Sequence, residues 1–404
     1  MARTIKLSSI LLIVTLISIV GGRYTEMVFI PILGIYLSII TKKNVFQKQL
    51  LFVIFLVAIL SSFSILYNSY NYGKFIQQFI LLAVMIYSYN QILSYKAIST
   101  TKWFEAYMTL SFILSIIGII HILIYLLLSI DIFPMTIDGV PLRSSYRLRS
   151  ILMEPSCFST FLTPAISYFF LCKGYMKAHK LKFIITFISF IATFSVTAVL
   201  GIFLICIFFC LRKGKVTRFI LISLTIIGSV FAINSISSYK SITNPQSPDE
   251  VIKWKLAQSI YSLEAKDPYD FENLNLSTYA SLTNYWIAFH APNRIIGTGL
   301  GTHEENYERL YKSNYSSYGL NKTDAYSLFA RLYSELGICG LILYFYFLYK
   351  FYDKKNIIST CLLIFFISYL IKGGHYTLYG IVFFNMLYYY SYKYKLNPQL
   401  INNA

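Results

Sequence analysis

Long apolar runs broken by short polar links occupy most of the chain. A bilayer-spanning helix takes roughly 17–25 such residues. The runs predict spans at 7–22, 26–41, 49–67, 75–93, 106–130, 156–172, 182–196, 198–211, 218–236, 325–349, 356–371 and 374–392. They lack the period-two alternation of a membrane barrel. The stretch 183–210 is long enough for one helix, but Ser195-Val196-Thr197 in its middle suits a tight turn. Two connections stand out by length, 131–155 and 237–324. The expected architecture is all-α: a polytopic integral membrane protein of about twelve transmembrane helices. Nine spans fall in 1–236, a large outer loop in 237–324, and three spans with a tail in 325–404.

Composition agrees. The 404 residues are 56% hydrophobic and 13% charged, against about 25% charged in soluble domains. So few charges cannot cover a water-facing surface, so lipid must be the solvent. Charge then orients the chain by the excess of Lys and Arg on cytoplasmic loops. With both termini inside, 20 of the 35 Lys and Arg fall on cytoplasmic segments and only two acids, Glu105 and Asp353, join them. The +18 net charge is therefore a feature of topology and anionic lipid, and no nucleic-acid partner is expected. The first run, after Arg3 and Lys6, reads as a retained signal anchor, since a second run follows closely and no A-x-A site is present.

His121 is the clear ionisable residue inside a span, and it reads as a neutral, hydrogen-bonded packing residue. The scarcity of others argues against ion-coupled transport. The six cysteines lie in or beside spans without zinc spacing and read as small core hydrophobes. No metal and no cofactor are expected.

Three polar clusters depart from the pattern, all at the outer membrane boundary. In Tyr146-Arg147-Leu148-Arg149-Ser150-Ile151-Leu152-Met153-Glu154-Pro155-Ser156, Pro155 suits the first helical position and Glu154 the positive helix end. The arginines serve either headgroup snorkelling or, with Arg143, an anion site, since guanidinium forks match phosphate oxygens. In Arg294-Ile295-Ile296-Gly297-Thr298-Gly299-Leu300-Gly301-Thr302-His303 the glycines permit a tight turn, flanked by Arg294 and His303. It follows no cytosolic strand, so a dinucleotide site is excluded. At the start of the tenth span, Asp324, Ser327, Arg331, Ser334 and Glu335 share one helical face, opposite Tyr326, Phe329, Leu332 and Tyr333. Arg331 and Glu335 also suit a simple i, i+4 pair. The loop itself carries amphipathic stretches at 251–263 and 279–290 and reads as a folded cap. Its N-x-S/T triplets at Asn275, Asn314 and Asn321 are no more than this composition gives by chance.

This layout resembles the O-antigen polymerase and O-antigen ligase superfamily of GT-C-type membrane glycosyltransferases. Arg147, Ser150, Glu154, Pro155 and Ser156 are similar to R-x-x-S-x-x-x-E-P-S of the polymerase (Wzy-type) branch. Ile295 to Gly301 resembles the family's turn late in the loop, and Glu335-Leu336-Gly337-Ile338-Cys339-Gly340 its E-L-G-x-x-G. Two features depart. Where ligases carry His-Asn, this chain has Tyr326-Ser327, and no Arg precedes Trp286 in the loop.

The resemblance implies polymerisation of undecaprenyl-diphosphate-linked repeat units into O-antigen or a related surface polysaccharide, on the periplasmic face of the bacterial inner membrane. It also implies a chain-length regulator as partner. Arg147 and Arg149, with Arg294 and Arg331 behind them, are the candidates for holding the diphosphate, and Tyr326 and Glu335 for lining the site. Glu154 is the first candidate to activate the acceptor hydroxyl, followed by His303 and Asp324. A ligase-like transferase is one alternative. A flippase is another, disfavoured because internal repeats and midplane polar sites are missing. The orientation has a direct check. A periplasm-dependent phosphatase reporter inserted near residue 245 should be active, and one fused after residue 396 inactive; the reverse pattern would overturn the topology.

Overall fold

The computed structural model describes residues 2–21, 23–41, 48–95, 98–133, 136–137, 140–141, 147–152, 154–211, 265–377 and 380–396. The expected span 218–236, the stretch 251–263 and Arg143 lie outside these. Each of the other eleven expected spans corresponds to a helix. The helices are α1 (Ala2–Val20), α2 (Arg23–Thr41), α3 (Lys48–Asn68), α4 (Tyr72–Leu93), α5 (Thr100–Leu128), α6 (Pro155–Leu171), α7 (Lys173–Ala178), α8 (Lys180–Ala192) and α9 (Val196–Leu211). The cap contributes α10 (Pro268–Phe271), α11 (Leu276–His290) and α12 (His303–Leu310). Then come α13 (Leu328–Lys350), α14 (Ile357–Ile371) and α15 (Ile381–Leu396). The described residues are all-helical, as expected, apart from a minimal antiparallel pair of two-residue segments, β1 (Thr136–Ile137) and β2 (Val140–Pro141).

Helix starts follow the side chains that can satisfy orphan amides. Asn71 accepts from Gly73 N, Ser99 from Lys102 N, Asn275 from Thr278 N, Ser327 from Ala330 N and Asn356 from Ile358 N. The break between α8 and α9 falls at 193–195, beside the expected turn. Among the described residues, Leu50–Asn68, Tyr72–Leu93, Thr100–Leu128 and Leu328–Lys350 are long and apolar enough to cross a membrane, and four shorter apolar helices accompany them. α3 leaves Phe52, Phe55, Phe63 and Leu66 more than 60% exposed. Such a row is stable only against lipid or another apolar surface. The architecture is that of an all-helical, polytopic membrane protein. Its core is aromatic. Tyr107, Phe161, Phe365 and Phe384 pack edge-on or tilted where α5, α6, α14 and α15 meet, and the Tyr107 hydroxyl donates to the Phe161 carbonyl.

α13 is broken inside its apolar length. Gly337 has φ 63° and ψ −159°, which interrupts the helical ladder. An unbroken helix would bond Ile338 N to Ser334 O and Cys339 N to Glu335 O. Here all four groups turn to the glycine-rich segment instead. Ile338 N donates to Arg294 O at 2.9 Å and Cys339 N to Ile295 O at 3.0 Å. Thr298 N donates to Ser334 O at 3.1 Å and Gly299 N to Glu335 O at 2.7 Å. Unsatisfied backbone groups are costly in lipid, so a broken helix persists only where something re-satisfies them. From the other side α3 holds the same segment. Ser64 Oγ donates to Gly297 O, and Leu300 N donates to Ser61 Oγ at 3.2 Å.

Gly297 is at the point of closest approach. Its φ is 72°, and a Cβ there would meet Glu335 O at 2.4 Å. The left-handed backbone alone costs an L-residue about 1–2 kcal/mol, and the clash adds to it. Gly297→Ala should therefore lower the unfolding temperature of the purified protein by several degrees, or prevent its recovery from membranes. Gly174→Ala, whose Cβ would meet nothing within 4 Å, should leave that temperature within a degree of wild type.

Candidate functional site

The broken helix places Arg331 and Glu335 one turn apart above the break, both buried. Arg331 Nε donates to Glu335 Oε1 at 3.1 Å and Nη1 to Gly374 O at 2.9 Å, and its guanidinium lies 4.2 Å from the Tyr376 ring centroid. Tyr376 OH donates to Glu335 Oε2 at 2.9 Å. The expected i, i+4 pair is present, and with these partners it is a buried brace. It joins α13 to the 372–380 connection between α14 and α15. A neighbouring network ties in the cap: Asn306 Nδ2 donates to Thr298 Oγ1 and Ser334 Oγ, each at 2.8 Å, and Tyr70 OH donates to Asn306 Oδ1.

His303 belongs to this buried layer. It is fully enclosed, and its Nε2–H donates to Asn284 Oδ1 at 3.0 Å. Burial, with Arg331 adding to it, pushes its pKa down to about 3. The ring is therefore neutral at ordinary pH, and it fastens α12 to α11.

A more open layer lies over this brace. Gly373 N donates to Tyr326 O at 2.9 Å, and Ser327 and Gly373 form a parallel bridge. That pairing carries Lys372, whose Nζ lies 4.8 Å from the Tyr326 ring, and His375, whose Nε2 faces Asp324 Oδ2 at 3.2 Å. Tyr326, Lys372 and His375 are all partly exposed. Arg147 joins them electrostatically. Burial draws its guanidinium below the usual arginine range, while Glu154 and Tyr326 act the other way. Arg147 Nε donates to Thr193 O at 3.1 Å, which fixes its approach from the α8–α9 turn. Glu154 is exposed at the N-terminus of α6 and makes no cap bond to the backbone. Its Oε2 accepts from Ser156 Oγ at 2.7 Å. The result is a half-open patch with two cations, Arg147 and Lys372, one histidine and two carboxylates at the ends of α6, α13 and α14. Such a patch can bind an anionic headgroup and has proton-accepting groups beside it.

The structure thus brings together Arg147, Glu154, Asp324 and Tyr326 around a surface, with Arg331 and Glu335 beneath. The shared helical face reaches only from Ser327 inward, because Ser327 caps the helix and Asp324 lies before it. Arg149 is committed elsewhere. Its Nη2 donates to Asp131 Oδ2 at 3.0 Å and to Phe133 O, and His121 Nε2 meets Asp131 Oδ1 at 2.9 Å. His121 is hydrogen-bonded and buried, as expected. Arg294 gives its carbonyl to the α13 ladder while its side chain stays exposed. It follows a cavity of about 380 Å³ lined by Phe63, Tyr67, Asn68, Pro292 and Asn293. His375 and Tyr376 escape a reading by hydropathy because they sit where an apolar run at 374–392 was expected, whereas α15 begins at Ile381, and Lys372 falls in the short link before that run. The pair Gly373-Gly374 just before His375 was the signal of an irregular connection there.

Residues 181–345 match the model of a family described as O-antigen ligase. The matched stretch runs from α8 through the cap and includes both halves of the turn–helix ladder. It supports the O-antigen ligase and polymerase superfamily, and with it an enzyme of the glycosyltransferase kind. No curated protein and no solved structure matches the chain.

His303 generates a pH dependence. Its folded pKa of about 3 lies below the ordinary histidine value near 6.5, so the unfolded chain binds the extra proton between those values. Stability is then fully present above about pH 6.5 and falls by up to about 1.4 kcal/mol per pH unit as the medium is acidified below it. Thermal unfolding of the detergent-solubilised protein at pH 7.5 and pH 5 should show this loss. His303→Gln, which has no proton to bind, should flatten the dependence in that window.

Proposed function

We propose that the chain polymerises lipid-diphosphate-linked oligosaccharide repeat units, undecaprenyl diphosphate being the carrier, on the periplasmic face of a bacterial inner membrane. The observation that carries this reading is the patch around Tyr326. It gathers Arg147 and Lys372 about Tyr326 at the ends of apolar helices. A lipid-borne diphosphate has its charge at that depth and its tail in the bilayer. In the reaction, a sugar hydroxyl on one unit attacks C1 of the glycan on another, and the lipid diphosphate departs with the electron pair of the broken C1–O bond. No nucleotide sugar is needed. The protein's contribution is alignment of two lipid-held partners and stabilisation of the departing charge. Arg147 is well placed for the second task, because its half-buried guanidinium interacts more strongly there than in open water.

A second reading, transfer of glycan to a different acceptor, is favoured by the description of the matched family as O-antigen ligase. Tyr326-Ser327 at the position where ligases carry His-Asn speaks for polymerisation. The two differ in product.

Cells lacking the gene, complemented with wild type, Arg147→Ala or Glu154→Ala at matched membrane levels, separate them on a polysaccharide gel. Wild type should restore a long ladder. Arg147→Ala should leave core plus one repeat unit, a loss of at least tenfold in long chains. Glu154→Ala should shorten the ladder. A deletion strain that keeps a normal ladder, or that lacks even the single unit, would overturn polymerisation in favour of transfer to another acceptor or of flipping.

A further inference from the structure

We propose that the cavity between the end of α3 and residues 292–293 of the cap binds a neutral sugar ring of the lipid-linked glycan. That the glycan is carried on lipid rests on the transfer reading above; the sugar subsite rests on the cavity itself. Its volume is about 380 Å³, at the small end of the roughly 300–1,000 Å³ of ligand sites. Phe63, Tyr67 and Asn68 of α3 line it on one side, Pro292 and Asn293 on the other. None of the five is charged. A diphosphate would find no cation among them, and an acyl chain would leave two carboxamides without water or partner. A sugar ring suits both halves of the lining. Its C–H face is apolar and weakly positive and matches the face of an aromatic ring. Its hydroxyls take a few placed donors and acceptors.

The two carboxamides supply these. Asn68 Nδ2 donates to Ser64 O at 2.8 Å and to Ser64 Oγ at 3.2 Å, and Asn293 Oδ1 accepts from Ile296 N at 3.3 Å. A carbonyl only accepts and a backbone amide only donates, so the orientation of both side chains is forced. Asn68 Oδ1 and Asn293 Nδ2 are left without a hydrogen-bond partner among the described residues. They are one acceptor and one donor, the pair a hydroxyl can use at once. The frame around them is held. Arg309 donates to Asn68 O at 3.4 Å and to Ser69 O at 3.0 Å, and its guanidinium lies 4.0 Å from the Tyr70 ring centroid. Asn293 has a left-handed backbone, φ 61°, and its carbonyl accepts from Gly297 N at 2.7 Å. Ser64 Oγ donates to Gly297 O. Both walls are thus tied to the glycine-rich turn, and a site formed before its ligand arrives loses little order on binding. Phe63 and Tyr67, 62% and 75% exposed, are the rings open to a ligand.

Equilibrium dialysis of the full chain in detergent tests this. The probe is the repeat-unit oligosaccharide released by mild acid from the host cell's lipid-linked pool and tritiated at its reducing end. Wild type should bind it saturably, with a Kd between the micromolar and millimolar ranges. Tyr67→Ala should weaken binding by about tenfold or more, as loss of an aromatic anchor does. Phe63→Ala should act in the same direction, and it carries the test if Tyr67→Ala is poorly recovered. Tyr67→Trp keeps an aromatic face and should stay within about threefold of wild type. Phe52→Ala removes a similarly exposed ring about three turns earlier on α3, outside the cavity, and should stay within about twofold. Tyr67→Ala and Phe63→Ala that bind within about twofold of wild type overturn the proposal. So does an equal loss in Phe52→Ala, or a wild type without saturable binding through the millimolar range. Transfer is judged apart, on the polysaccharide gel. A wild type that restores the ladder and binds no sugar removes the subsite alone. Saturable binding that depends on Tyr67, in a chain whose deletion leaves the ladder intact, keeps the subsite and removes transfer.

Discussion

The backbone ladder between the glycine-rich turn and the break in α13 is the constraint on which the rest of the candidate site depends. A helix opened inside an apolar environment exposes amides and carbonyls that lipid cannot satisfy. Here residues 294–299 supply partners for four of them, and Ser61 and Ser64 of α3 hold the turn from behind. Because the groups are backbone, the fit depends on the absence of side chains at Gly297 and Gly337 more than on the identity of those present. With the break secured, Arg331 and Glu335 point into protein, Tyr376 closes over them, and the 372–375 connection is drawn onto Tyr326. The cap, the broken helix and the α14–α15 connection thus form one assembly. The charged patch is the part of it that reaches the surface.

Much of the fold was legible in the sequence. Apolar runs are summed over many residues, so errors at single positions do not matter. Helix starts were found within a residue at α6 and α14, while the Ser99-capped start of α5 was placed six residues late. The boundaries that slipped did so for local reasons. The period of α13 was extended back to Asp324, past the Ser327 cap. The apolar tyrosines and phenylalanines around 376–384 hid the irregular connection ahead of Ile381.

The site was legible in pieces but not as a contact. Arg294–Gly301 and Glu335–Gly340 were both visible as motifs, and their pairing was not, since backbone hydrogen bonds leave no side-chain signature. Burial was equally invisible. His303 and Arg149 have the right chemistry for catalysis and phosphate binding, yet one is enclosed against Asn284 and the other committed to Asp131. His375 went unseen for the converse reason, because its Asp324 partner lies fifty residues away in the chain. Charge and periodicity report on what a segment is, while function here depends on which segments meet.

The order in which the chain is made gives the ladder a further consequence. The turn at 294–301 leaves the ribosome before the break at 334–339. When α13 enters the bilayer, the segment that must receive its opened backbone has therefore already been synthesised. An insertion or reporter placed between them separates two halves of one hydrogen-bonded unit, so such fusions should impair biogenesis well before they disturb any charged side chain.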